Sequence, residues 1–162
     1  MTDRAKIKDQ EKGVYLTAAS ISDAAGEVEK MHTRSFSTTV HALENAATNV
    51  TERPVGIIKR LSKIKAISVV SPAAVANDAT DYVKVYVYKY TSAGATQTLL
   101  GSWNSATAAQ GAMTAYAKHS LSLVTAAVAS VSADSTITFH VGKFGAGKVL
   151  GNCSVTVDHE EI

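Results

Sequence analysis

At 162 residues the chain has room for one compact domain with an appendage, and a 46% share of hydrophobic residues is enough to build a core. Only 19% of residues are charged and the formal net charge is +2, which argues against a nucleic-acid binder, where Lys and Arg concentrate on one face. The single cysteine, Cys153, excludes an internal disulfide, and no apolar run approaches the ~18 residues that would read as a membrane span.

Met1–Lys12 is polar, with mixed charges and no apolar segment of the secretory kind, so synthesis and folding in a cytoplasm are expected. Without such a signal, Asn49-Val50-Thr51 and Asn152-Cys153-Ser154 are read as chance matches to the glycosylation pattern. Residues 1–53 carry no sustained alternation of apolar and polar residues. Two short helical patterns appear instead. Ser22-Asp23 precedes 24–31, with Glu27 and Glu29 early and Lys30 late, as the helix dipole favours. Thr38-Thr39 precedes Val40, Leu43 and Ala47 at helical spacing. Helices this short are marginal alone in water. Residues 1–53 are therefore expected to be an extended N-terminal arm containing short helices. Its scattered apolar side chains, Val14, Leu16, Ile21, Val28, Phe36, Val40 and Leu43, would each need a pocket in a partner.

After Arg53-Pro54 the pattern becomes one of strands. Val55–Lys59 and Ala66–Ser71 are short β-rich runs, the second ending at the turn signal Ser71-Pro72. Asp81–Tyr90 alternates most clearly, with Val83, Val85 and Val87 on one face and Tyr82, Tyr86, Tyr88 and Tyr90 on the other. Thr96–Trp103 follows as its partner across the turn at 91–94. Ser105–Lys118 is rich in Ala and reads as a loop with at most one helical turn. Ser120–Thr125, Ser135–Lys143 and Asn152–His159 complete about seven strands. Residues 54–162 are thus expected to form an all-β, antiparallel β-sandwich, with a jelly roll the favoured arrangement. No helix is long enough for βαβ crossovers.

The chemical motifs are weak. Gly142-Lys143-Phe144-Gly145-Ala146-Gly147-Lys148 has phosphate-loop spacing. However, Val149 stands where Mg²⁺ chemistry needs Ser or Thr, and a strand follows where a helix is required. A glycine-rich turn fits better. The histidines at 32, 41, 119, 140 and 159 show no ligand spacing. Alternation points His140 away from the core and His159 into it, so no shared metal is expected. Asp78 and Asp81 suit turn capping better than Ca²⁺ binding. Cys153 reads as a small buried apolar residue. Lys59, Arg60, Lys63 and Lys65 form the one basic cluster and read as a solvated strand edge. No catalytic constellation, cofactor site or metal site is expected, and the chain is read as non-enzymatic.

The tyrosine stripe is the positive signal. A row of aligned aromatics exceeds what a solvent face carries, and Tyr suits interfaces because a large apolar body bears a polar tip. Protein must cover the stripe, either a partner or the arm itself.

The order of segments resembles the jelly-roll decoration or cement proteins of tailed-bacteriophage capsids. The resemblance spans about Val55 to Val157. It is carried by Gly56-Ile57-Ile58-Lys59 leading to Ile67-Ser68-Val69-Val70-Ser71, then Thr80-Asp81-Tyr82-Val83-Lys84-Val85. Leu99-Leu100-Gly101-Ser102-Trp103-Asn104, Ser120-Leu121-Ser122-Leu123, Val131-Ser132-Ala133-Asp134-Ser135-Thr136-Ile137 and Gly145-Ala146-Gly147 follow in the same order. The resemblance implies a virion structural protein made in the host cytoplasm. It would be seated on the capsid surface as a homotrimer, its arm and sandwich binding major capsid protein, with no nucleic acid or membrane partner. A tail- or fibre-associated receptor or glycan-binding module is the alternative, because the same fold serves both roles.

Overall fold

The structure is a computed structural model that describes residues 33–40, 51–107, 110–146, 150 and 152–162. Nine strands and one helical turn are formed by these residues. The strands are β1 (Thr33–Val40), β2 (Thr51–Ile58), β3 (Ser62–Val70), β4 (Tyr82–Tyr90) and β5 (Gln97–Asn104). After them come β6 (His119–Ser120), β7 (Ser122–Leu123), the helical turn α1 (Thr125–Val128), β8 (Ser135–Phe144) and β9 (Cys153–Glu161). One sheet has the order β1-β9-β3-β6 and the other β2-β8-β4-β5-β7. The pairings of β2 with β8, β8 with β4, β4 with β5, β5 with β7, β9 with β3 and β3 with β6 are antiparallel. No helix of the described residues is long and apolar enough to cross a membrane.

Alternation explains most of the core. Val83, Val85 and Val87 of β4, Ile137 and Phe139 of β8, and Val155 and Val157 of β9 are buried and belong to one cluster that draws on both sheets. Three bulges account for the places where period two fails. In β3 the register shifts between Ile64 and Ala66, so Ile64 and Ile67, three apart, both point inward. In β5 the shift lies opposite Val87 and Tyr88, and it brings both Leu100 and Trp103 into the core. In β2 it falls between Pro54 and Gly56. Two polar groups in the core have partners: the Trp103 indole N–H donates to Gln110 O at 3.1 Å, and Ser105 Oγ accepts from Val83 N–H at 2.9 Å.

Several expectations change here. The boundary at 53/54 does not mark the start of the strands. β1 lies wholly inside residues 1–53, β2 begins at Thr51, and the compact unit runs from Arg34 to Ile162. Thr38–Val40 end a strand and do not open a helix; the rest of that helical pattern, like the one at 24–31, lies outside the described residues. The reason is that β1 gains its bonds from β9, more than a hundred residues away, which no local pattern reveals. The single strand expected at Ser120–Thr125 is two short ones. The chain crosses from one sheet to the other at the buried Leu121, whose N–H donates to Ile67 O at 2.9 Å, and then turns into α1.

Candidate interaction face

Because Val83, Val85 and Val87 fill the core, the even-numbered residues of β4 lie on the outer face of its sheet, where Tyr82, Lys84, Tyr86, Tyr88 and Tyr90 are each half-buried. The register adds neighbours from both sides. Phe144 and His140 of β8 stand beside Tyr82 and Tyr86, and Glu52 of β2 stands beside His140. At one end Tyr82 stacks on Phe144 with ring centroids 4.6 Å apart, and the Lys84 ammonium lies 5.5 and 5.0 Å from the two centroids. At the other end Tyr88 meets the edge of His140 at 4.9 Å. The Tyr90 hydroxyl donates to Glu52 Oε2 at 2.9 Å, and His140 Nε2 lies 2.9 Å from the same oxygen. Ile57, in the row of Tyr90, is 48% exposed.

The electrostatics of this face follow from its partial burial. Burial raises the Glu52 carboxyl, but hydrogen bonding by Thr138, His140 and Tyr90 outweighs it and holds the group below the ordinary carboxylate value. Burial, then the proximity of Tyr86 and Glu52, pushes the Tyr88 phenol up; burial and the bond to Glu52 do the same for Tyr90. Both phenols are therefore neutral donors at physiological pH. The surface combines aromatic bodies, hydroxyl tips, one ammonium and one carboxylate, a composition suited to binding protein.

The opposite outer face, on β1-β9-β3, is different in kind. Ser35 Oγ donates to Asp158 at 2.6 Å, Ser37 lies 3.2 Å from Ser154, and Thr156 donates to Ser37 at 3.1 Å. Two members of the basic cluster, Arg60 and Lys65, meet carboxylates there. Arg60 and Arg34 lie 3.1 and 3.0 Å from Glu161, and Lys65 lies 2.9 Å from Glu160.

Of the expected partner-binding residues, Tyr82, Tyr86, Tyr88 and Tyr90 come together on one face. Phe36 does not join them. Its ring packs against the core, over Gly56 and 5.8 Å from the His159 ring, so it is engaged within the chain. Val40 ends β1, while Val14, Leu16, Ile21, Val28 and Leu43 lie outside the described residues. Sequence reasoning missed Glu52, Lys84, His140 and Phe144 as members of the face. Lys84 was available from the β4 alternation itself, whereas the others depend on which strands are neighbours.

The remaining candidates have structural tasks. Asp78 Oδ1 accepts from the N–H groups of Thr80 and Asp81, which hold its carboxyl below the ordinary value. Asp81 Oδ1 accepts from Ala146 N–H at 2.6 Å and so ties down the turn at Gly145. Cys153 is buried, and burial pushes its thiol up to about 11 against a smaller lowering by Ser71. Among the described residues no three His, Cys, Asp or Glu side chains gather as a metal ion would require. No protein-family model, curated protein or solved structure matches this chain.

Proposed function

We propose that the chain is a non-catalytic virion component that decorates and reinforces a tailed-phage capsid, with the tyrosine face of β4 and β8 bound to major capsid protein. The observation that carries this reading is the half-buried row Tyr82, Tyr86, Tyr88 and Tyr90, extended by Phe144 and Ile57 on the same face. Monomeric proteins rarely leave a contiguous apolar patch of that kind to water.

The strand order supports a jelly-roll β-sandwich as the scaffold. With the two-residue β7 set aside, the order β1-β9-β3-β6 against β2-β8-β4-β5 is that of eight strands wound as two Greek keys. One core shared by both sheets is what a sandwich requires. A homotrimer is the assembly proposed, since a contact between unlike patches closes naturally into a ring.

The test is co-sedimentation of the full chain with phage capsids lacking it, followed by cryo-electron microscopy of the loaded particle. Density on the shell, lost when Tyr82 and Tyr86 are both changed to Ser in a chain that still folds, is the expected result. Density on the tail, or glycan-array binding without capsid binding, would replace this reading with a receptor-binding one.

A further inference from the structure

One end of the tyrosine face is held together at a single oxygen. Glu52 Oε2 accepts from the Tyr90 hydroxyl at 2.9 Å and lies 2.9 Å from His140 Nε2. These residues belong to three neighbouring strands, β2, β4 and β8, so the carboxylate spans the sheet on its outer side. The register brings them together. Glu52 is opposed to His140, and His140 to Tyr86. Tyr88, two residues on in β4, meets the edge of His140 at 4.9 Å and lies 6.0 Å from the Tyr86 ring. A chain of contacts therefore runs from Glu52 directly to Tyr90, and through His140 to Tyr88 and Tyr86.

Those contacts depend on the charge of Glu52. An ionised carboxylate only accepts, whereas a protonated one carries a hydroxyl donor of its own. Hydrogen bonds to the ionised form are roughly twice as strong as those between neutral groups. Among the described residues the groups that bear on this carboxylate are Thr138 and His140 from β8 and Tyr88 and Tyr90 from β4, none of them Lys or Arg. Burial raises the carboxyl, and the bonds from Thr138, His140 and Tyr90 outweigh it and hold it below the ordinary value. Its contribution is thus fully present above the unfolded pKa of about 4.3 and is lost as pH falls through the lower folded value. The core beneath is built differently: its buried residues include no Asp or Glu among those described, and His159 is its one histidine.

We propose that Glu52 is an acid-sensitive clasp of the tyrosine face: its carboxylate positions Tyr90, His140 and, through His140, Tyr88, and its protonation frees that end of the face while the core stays folded. The use of the face for binding rests on the reading given under Proposed function. The clasp itself is a property of the free chain.

The experiment titrates the full chain from about pH 7 to about pH 3 with two probes. Near-ultraviolet circular dichroism follows the packed tyrosines, and the emission of Trp103, the single tryptophan and a buried one, follows the core. Wild type should lose tyrosine signal with a midpoint below about 4.3 while Trp103 emission holds. Glu52→Gln, of the same size but uncharged, should show the loosened signal already at neutral pH and no such step. Tyr90→Phe removes one donor to the carboxylate and should move the step to higher pH. His159 titrates alike in wild type and Glu52→Gln, so it drops out of the comparison. Tyrosine and tryptophan signals that move together, in wild type and Glu52→Gln alike, would mean ordinary acid unfolding and overturn the proposal. So would a step that survives in Glu52→Gln. If Glu52→Gln does not fold, an unmoved midpoint in Tyr90→Phe overturns it instead. Binding to the same capsids at neutral pH completes the test: Glu52→Gln should lose about tenfold in affinity, the worth of one charge-assisted hydrogen bond. Unchanged affinity would leave the tyrosine face standing and defeat the positioning role. Wild-type chain that binds no capsid at any pH defeats the proposed function, and with it the regulatory use of the clasp.

Discussion

Substituting Gly56 tests whether β1 closes the core in the way its geometry requires. A Cβ at position 56 would stand 2.7 Å from Phe36 Cε2, 2.8 Å from Cδ2 and 3.3 Å from Cζ. Ordinary carbon contacts are about 3.5–4.0 Å, so Gly56→Ala forces the ring or the β2 bulge to move by about 1 Å. Overpacking of that size costs about 1–3 kcal/mol. Removing a fully buried Phe ring costs about 3–5 kcal/mol, and since Phe36 is only partly buried, about 2–3 kcal/mol is expected for Phe36→Ala. If the two act independently, the double variant loses the sum. If they touch, the added methyl enters the space the ring has left, the clash disappears, and the double variant is more stable than the sum by about 1–3 kcal/mol. Urea unfolding of all four proteins gives the comparison, read from midpoints at constant slope. Additivity within about 0.5 kcal/mol would refute the contact and with it the place of β1 beside the core.

Two further outcomes follow from buried groups. His159 is buried with its Nδ1 3.3 Å from Ser62 Oγ, and burial lowers its pKa despite the upward pull of Glu161. The unfolded chain therefore takes up a proton near pH ~6.5 before the folded chain does. Its contribution is fully present above that pH and is lost as pH falls toward the folded value. His159→Gln should flatten that part of the decline between pH 7.5 and 5.5 in urea unfolding, and an identical decline in wild type and variant would sink the idea. Cys153, with its thiol pushed up to about 11, should react with a disulfide reagent at pH 8 only after unfolding; immediate reaction of the native chain would contradict its burial.

The alternating strands were legible because both their periodicity and their burial are local facts. β4, β8 and β9 lie within a residue or two of their expected ends, and His159 falls with the core set as alternation requires. β1 was not legible. TRSFSTTV offers one large apolar residue, and the hydroxyls of Ser35 and Ser37 find their partners in the distant β9. Bulges hid the rest: Ile64 with Ile67, and Leu100 with Trp103, break period two although both members of each pair are buried. The tyrosines could be grouped from sequence because they share one strand. Glu52 and His140 could not be added to them, since they lie on β2 and β8 and meet Tyr90 and Tyr88 only through sheet order.

The strand edges bear on the attachment proposed above. β6 and β7, each at the end of a sheet, are two residues long and too short to template a further strand. β2, the other edge of the tyrosine-bearing sheet, carries Pro54, which lacks an N–H, next to a bulge at Gly56, so continuous pairing along it is interrupted. Strand addition to that sheet is thus disfavoured at both of its edges. What the sheet offers to another protein is its face, where recognition rests on side chains rather than backbone. Affinity should accordingly be sensitive to the rings of Tyr82, Tyr86 and Phe144. It should be insensitive to Arg53→Lys, which leaves the bulge in place, because that exposed side chain lies on the strand edge and not, like Glu52 and Ile57 of the same strand, on the tyrosine face. On the other sheet β1 is the one long edge without a proline among the described strands, and its outward hydroxyls are already taken up by Ser154, Thr156 and Asp158. The two faces therefore divide the work: hydroxyls and ion pairs suited to water on one side, aromatic rings suited to another protein on the other.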